Sequence, residues 1–207
     1  MTPPNLCFVM ELCRCSLFDL LHGNRSDFFT TYSRIAMCLS VCRGLLYLHS
    51  EIKLIHRDIK SHNILVTGDD HSPVLKLCDF GLVRTRNTTA GTPNYMAPEL
   101  FGNEPFDKSV DVYAFALVMW EVFTQTLPFR GYDAEDISRV VREGERPEIP
   151  TIDVPVECRD IMKRGWSGER SERPSFEEIE RTLSDVLERT PLRSAMSELD
   201  DDDLFNM

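Results

Sequence analysis

Three side chains in the first half of this 207-residue chain have the types and spacing for moving a phosphoryl group. Asp58, within the run HRDIKSHN at residues 56–63, is a carboxylate that can accept or orient the proton of an attacking hydroxyl. Asn63 closes that run, and Asp79 opens a D-F-G triplet sixteen residues later. Both offer hard oxygens, and magnesium favours a few such protein oxygens together with phosphates and water. An aspartate after an arginine can merely cap a turn, but that reading leaves the coincident Asn63 and Asp79 unexplained. An H-R-D-x-x-x-x-N loop followed by D-F-G reads as a phosphoryl-transfer centre.

Such side chains need elements to hold them. Residues 63–66 and Val74–Leu77 have the composition of two short strands around a turn rich in Gly, Asp and Ser, which would set Asn63 and Asp79 at adjacent strand edges. Upstream, the apolar run 5–12 after Pro3 and Pro4 suits a strand. Ser16 then caps a brief helix that ends at Gly23. Over 31–50, apolar residues return at Ile35, Cys38, Leu39, Cys42, Leu45, Leu46 and Leu48, the spacing of an amphipathic helix. Residues 110–123 are apolar nearly all round, so that helix should be buried. Three further helices are expected over Ala134–Arg142, 157–166 and 175–189, the last with Ser175 and Glu178 placed as a near capping box. The acidic run 198–203 suits a solvated, disordered tail.

Composition narrows the function classes. At 42% hydrophobic and 28% charged, the chain has the material for one sizeable core. A net charge of −11 argues against a dedicated nucleic-acid binder. Seven cysteines without a C-x-x-C spacing fit reduced, buried thiols in the cytosol. The first residues lack a basic region and a cleavage signal, and no apolar run approaches the eighteen or more residues that span a bilayer, so a cytoplasmic protein with no membrane partner is expected.

With APE at residues 97–99 closing the segment that D-F-G opens, the chain resembles the large lobe of a eukaryotic-type protein kinase over residues 5–189. The GTPNYMAPE, DVYAFALVMWEV and ERP strings are most similar to the tyrosine-kinase-like group, including its Raf-like and mixed-lineage members. Ala114, Phe115 and Ala116 stand where the group has S-F-G, and Cys15 replaces a glycine before Ser16; both touch the subgroup, not the class. The resemblance implies a mostly α fold (α+β) with short strands at the cleft: residues 1–15 a remnant of the small lobe and hinge, 16–190 the large lobe, 191–207 the tail. It implies ATP and Mg2+ as cofactors, Asp58, Lys60, Asn63 and Asp79 as catalytic residues, and Asn63 and Asp79 as metal ligands. Lys60 would meet the γ-phosphate, which leans the acceptor towards Ser or Thr. Met10 takes the gatekeeper's place, the backbone of Glu11 and Cys13 meets the adenine edge, and Leu65 lies beneath the ring, with Asp79 completing the nucleotide site. His56 is implied to stack under Phe80, Thr92 to bond the catalytic aspartate and lysine, Asp111 to receive backbone N–H groups of the catalytic loop, and Glu99 to pair with Arg173 near Trp166. Protein substrates bearing Ser or Thr are the implied partners. An upstream activating kinase acting on Thr88 or Thr89, with Arg57 as the phosphate's partner, follows by the same logic. His22, His49, His62 and His71 are left as ordinary polar residues.

Nothing before His56 matches a glycine-rich phosphate loop, and no lysine precedes Lys53. The small lobe is therefore expected to be largely absent, as in a truncated chain. A catalytically inactive fragment acting as a protein-binding module is the alternative. Small-molecule phosphotransferases share the H-x-D-x-x-x-x-N loop but not the G-T-x-x-Y-M-A-P-E segment.

Overall fold

The computed structural model describes residues 9–23, 29–68, 73–79, 91–102 and 104–191. Cys15–Ser16 (β1), Ile64–Thr67 (β2) and Val74–Leu77 (β3) form an antiparallel sheet in the order β1-β2-β3, with Ile64 opposite Leu77 and Ser16 opposite Leu65. The first strand of the expected pair begins one residue late, because Asn63 closes a 3-10 turn, Ser61–Asn63. The strand expected over 5–12 is not found in its described part. Val9 and Leu12 are fully exposed, and pairing starts only where the Arg14 N–H reaches the Val66 carbonyl at 2.9 Å. Without a neighbouring ladder on residues 9–12, β propensity alone makes no strand. Residues 5–8 and the acidic run 198–203 lie outside the described residues.

Seven α-helices follow in the described chain: Leu17–His22 (α1), Thr31–Tyr47 (α2), Pro98–Phe101 (α3), Ser109–Thr124 (α4), Ala134–Arg142 (α5), Val156–Gly165 (α6) and Phe176–Arg189 (α7). Ser16 starts α1 with a full capping box: its Oγ accepts the Asp19 N–H and the Asp19 carboxylate accepts the Ser16 N–H. Ser175 makes only half of one. Its Oγ accepts the Glu178 N–H, while the Glu178 carboxylate pairs with Arg164 at 2.6 Å. Helix α3, where Pro98 supplies a favourable first position, was not anticipated.

Helix α2 continues as a π-helical turn, Leu48–Ile52, and stops where Lys53 turns left-handed at φ 59°. The combined run Thr31–Ile52 is 22 residues, long and apolar enough by length and composition to cross a membrane, which corrects the expectation that no such run exists. Half of that window is buried inside the fold, and Ile35, Cys38, Cys42 and Leu45 face a core shared with α4, α7 and β3.

Helix α4 is the post of that core, buried at every residue from Val110 to Phe123. It crosses α6 where Gly165 meets Ala116: a methyl group added at Gly165 would stand 2.8 Å from the Ala116 Cβ. The pairing of two small residues sets how closely the helices approach. One continuous cluster from Leu17 to Val186 draws residues from the sheet and from all seven helices.

Candidate active site

The first turn of α4 organises the catalytic loop. Asp111 is fully buried, and its two oxygens accept the backbone N–H groups of His56 and Arg57, each at 2.8 Å. His49 on the π turn adds a third contact at 2.7 Å. A carboxylate here also meets the positive end of the helix dipole. These bonds hold Arg57 left-handed at φ 68°, a conformation that costs a non-glycine residue on the order of 1–3 kcal/mol. His56 is buried in the core, as expected. Its Nε2 stands 3.0 Å from the Cys78 carbonyl, which only an N–H can satisfy, so Nδ1 is left to accept the Asp58 N–H at 3.4 Å. Its expected partner Phe80 lies outside the described residues.

Asp58, Lys60, Asn63 and Thr92 form one network. Asp58 Oδ1 accepts the Thr92 N–H and hydroxyl at 3.2 and 3.3 Å. Its Oδ2 accepts from Asn63 Nδ2 and Lys60 Nζ, both at 2.9 Å, and Lys60 Nζ also donates to Thr92 Oγ1 at 2.7 Å. The Asn63 amide nitrogen makes a second bond, to the Asp58 carbonyl at 2.8 Å, so both of its hydrogens are used and its carbonyl oxygen remains for a cation. Beyond β3, the Cys78 N–H donates to the Asn63 carbonyl at 3.0 Å, and Asp79 follows at φ 61° on the exposed side. An amide oxygen and a carboxylate on backbone segments so joined suit magnesium, which binds through one or two protein oxygens and keeps its waters and phosphates. Among the described residues, no group of three or more His, Cys, Asp or Glu side chains gathers at metal-binding distance.

The residues expected to meet a nucleotide lie on the sheet and on the chain leading into it. Met10 is 71% exposed, Glu11 ion-pairs with Lys76 on β3, the Cys13 thiol approaches the Glu11 carbonyl at 3.8 Å, and Leu65 is half-buried in the middle of β2. Cys78 is also half-buried. Burial and then the Asp79 charge push its thiol pKa above the ordinary value. Arg57 lies over the Phe106 ring at 5.2 Å. Thr88 and Thr89 lie outside the described residues.

Downstream, Arg173 meets Glu99 as expected, and it also donates to the Ser167 and Ser109 carbonyls. Trp166 is buried close by, and its carbonyl accepts from Arg146 at 2.8 Å. What sequence reasoning missed is Tyr113, whose buried ring carries the guanidinium groups of Arg146 and Arg173, each 5.2 Å from its centroid.

A second miss is Glu121, fully buried late in α4. It accepts from Ser61 of the catalytic loop at 2.8 Å, from Tyr95 of the segment before APE at 2.7 Å, and meets His22 of α1 at 2.8 Å. The signal for it was a single carboxylate within the apolar stretch 112–123 of α4, since a buried charge must be paired or hydrogen-bonded. His22 and His49 are thus not ordinary polar residues but partners of buried carboxylates. His62 stacks on Phe18 at 3.9 Å, and His71 lies outside the described residues.

A family model for protein tyrosine and serine/threonine kinases matches residues 1–183. In Arabidopsis thaliana, the chain is 38% identical over 193 residues to "Probable serine/threonine-protein kinase SIS8", covering 87% of this chain and 18% of that protein. It is 34% identical over 193 residues to the serine/threonine-protein kinase STY46 of the same plant, at 89% and 32% coverage. The dual specificity protein kinase shkD of Dictyostelium discoideum is 32% identical over 189 residues, at 86% and 25% coverage. The chain spans between 11% and 33% of the length of the curated relatives it matches.

Proposed function

The chain belongs to the protein tyrosine and serine/threonine kinase family, and from that premise we propose that it supplies the large lobe of a serine/threonine kinase transferring the γ-phosphoryl of ATP to protein hydroxyls. The observation that carries this reading is the closed triangle of Asp58, Lys60 and Thr92. Asp58 takes or orients the hydroxyl proton, and Thr92 and Asn63 fix its two oxygens in place. Lys60, on the same network, neutralises the transferring phosphate. Asn63 and Asp79 would hold magnesium, which would supply charge neutralisation for the phosphates. Glu11, Cys13 and Leu65 meet the adenine, with Met10 beside them. Activity rests on a small lobe covering this edge with a glycine-rich loop and a lysine.

The same reading places the protein in the cytoplasm, supported by the buried, unpaired thiols of Cys38, Cys42 and Cys158. An activating kinase acting on Thr88 or Thr89 belongs to it as well. Equal activity of the Thr88→Ala/Thr89→Ala variant and the parent after incubation with such a kinase would argue against that step.

The test is an acceptor comparison with the chain joined to a small lobe. Radiolabelled ATP and magnesium are offered with a Ser/Thr peptide, a Tyr peptide and an aminoglycoside. Transfer to the Ser/Thr peptide is expected; transfer to the aminoglycoside alone, or to none, would overturn the proposal, the last in favour of a binding module.

A further inference from the structure

Between α3, the end of α5 and the end of α6 lies a cavity of about 480 Å³ that shares no lining residue with the network around Asp58. Four of its lining side chains are cations: Arg142 closing α5, Arg146 just after it, Lys163 on α6, and Arg170. Arg170 is already matched, by Glu104 at 3.1 Å and Glu99 at 3.7 Å. Arg142, Arg146 and Lys163 form no ion pair in the described structure. Arg146 is held in place by neutral groups, the carbonyls of Trp166, Val141 and Glu145 and the face of Tyr113. On the acidic side, Glu99 is neutralised by Arg173, which leaves Glu169 as the uncommitted lining carboxylate. A concave surface with an excess of positive charge therefore sits on a chain whose net charge is −11.

We propose that this cavity is the docking site for an acidic segment, and that the segment is the chain's own run ELDDDD at residues 198–203. Charge complementarity is one argument; reach is the other. At the end of α7, Arg189 pairs with Glu157 at the start of α6 at 2.9 Å, so the chain leaves α7 beside α6. Lys163 lies six residues further along α6, about 9 Å at the rise of an α-helix. From Pro191 to Glu198 are seven residues, which span about 23–25 Å when extended. That length covers the distance along α6 and the passage around a helix about 10–12 Å across. The five carboxylates at 198 and 200–203 then meet Lys163 first and Arg142 and Arg146 beyond it. Tethering places them at an effective concentration on the order of millimolar, so a modest ionic contact suffices to hold them. The contact weakens as salt shortens the range of the charges.

Carbodiimide coupling, which joins a carboxylate to a nearby amine, tests this on the intact chain. Its lysines are Lys53, Lys60, Lys76, Lys108 and Lys163, and only the last lines the cavity. A one-to-one mixture of 14N and 15N protein is coupled at low salt, digested and read by mass spectrometry. The expected product joins Lys163 to residues 198–203 within one copy, well above links from the tail to Lys53, Lys76 or Lys108. It should fall to their level in about 0.5 M salt, in the Arg142→Glu variant, and when Asp200 to Asp203 are all replaced by Asn. Even distribution over the lysines, preference for a different lysine, or links between labelled and unlabelled copies would each overturn the proposal, the last by making a second copy the occupant.

Discussion

Arg173 meets Glu99 through both terminal nitrogens, at 2.7 and 2.9 Å, with the arginine side chain fully buried and the carboxylate 3% exposed. The pair joins α3, at the end of the segment that follows D-F-G, to the chain that leads into α7. Removing either partner leaves the other charge buried and uncompensated, which costs about 3–5 kcal/mol. Arg173→Met and Glu99→Gln should each lower the free energy of urea unfolding by that amount. The double variant should recover part of the loss, because no charge is then stranded. An additive double variant would show that the two side chains act separately.

Glu121 makes a related but distinct prediction. Its three donors come from α1, the catalytic loop and the segment before APE, so it ties three separate parts of the lobe to α4. Burial, and the Glu121 charge after it, push the Tyr95 hydroxyl well above its ordinary pKa, so Tyr95 stays a donor throughout the working range. Tyr95→Phe removes one hydrogen bond to a charged group and should cost about 1.5–3 kcal/mol in urea unfolding. A change below about 0.5 kcal/mol, the range of surface substitutions, would show that Ser61 and His22 satisfy Glu121 unaided.

Much of this was legible in the sequence, and the reasons divide cleanly. Helices α2, α4 and α5 were visible because a 3.6-residue period or unbroken apolarity extends over several turns, and α1 and α7 because Ser16 and Ser175 announce their starts. The Asp58, Lys60 and Asn63 part of the network was legible because its motif is local and tightly spaced, while Thr92, 34 positions from Asp58, was legible only through the family resemblance. The backbone donors to Asp111 were expected as well, through the family resemblance, but the histidine partners of Glu121 and Asp111 were not. His22 stands 99 positions from Glu121 and His49 stands 62 from Asp111, and no period or propensity connects residues so far apart. The failed strand at 9–12 is the converse case. Its residues have the right composition, but a strand is a relation to a neighbour, and the described structure supplies none there.

The thiols should react in an order set by burial. Burial pushes Cys158 up to about 12 and Cys38 well above the ordinary value, while Cys78 is raised less, by burial and then by Asp79. A raised pKa means less thiolate at a given pH, so alkylation of Cys78 should be slow near neutrality and rise with pH past the ordinary thiol range. Cys38 and Cys158 should stay unmodified until the protein unfolds. Iodoacetamide labelling from pH 7 to 9, followed by peptide mass spectrometry, reads the order directly. Labelling of Cys158 before Cys78 in the folded protein would contradict it.

The last prediction concerns the proposed base. Asp58 accepts four hydrogen bonds, from Thr92 N–H, Thr92 Oγ1, Asn63 Nδ2 and Lys60 Nζ, so both of its oxygens face donors. Asn in its place would turn an NH2 group towards one of those donor pairs, losing the base and disturbing the positions of Lys60 and Asn63 together. With the chain joined to a small lobe, Asp58→Asn should lower kcat by about two to four orders of magnitude while KM for ATP changes little, since the adenine contacts are remote from this network. Thr92→Val removes one bridging hydroxyl and leaves the carboxylate, so its loss should be nearer tenfold, the equivalent of one charge-assisted hydrogen bond of about 1.5 kcal/mol. The ratio of the two effects is the informative quantity. If Asp58 serves only to brace the loop, the two variants should lose activity to a similar degree, and Asp58→Asn should lower the unfolding free energy by about as much as it raises the activation free energy.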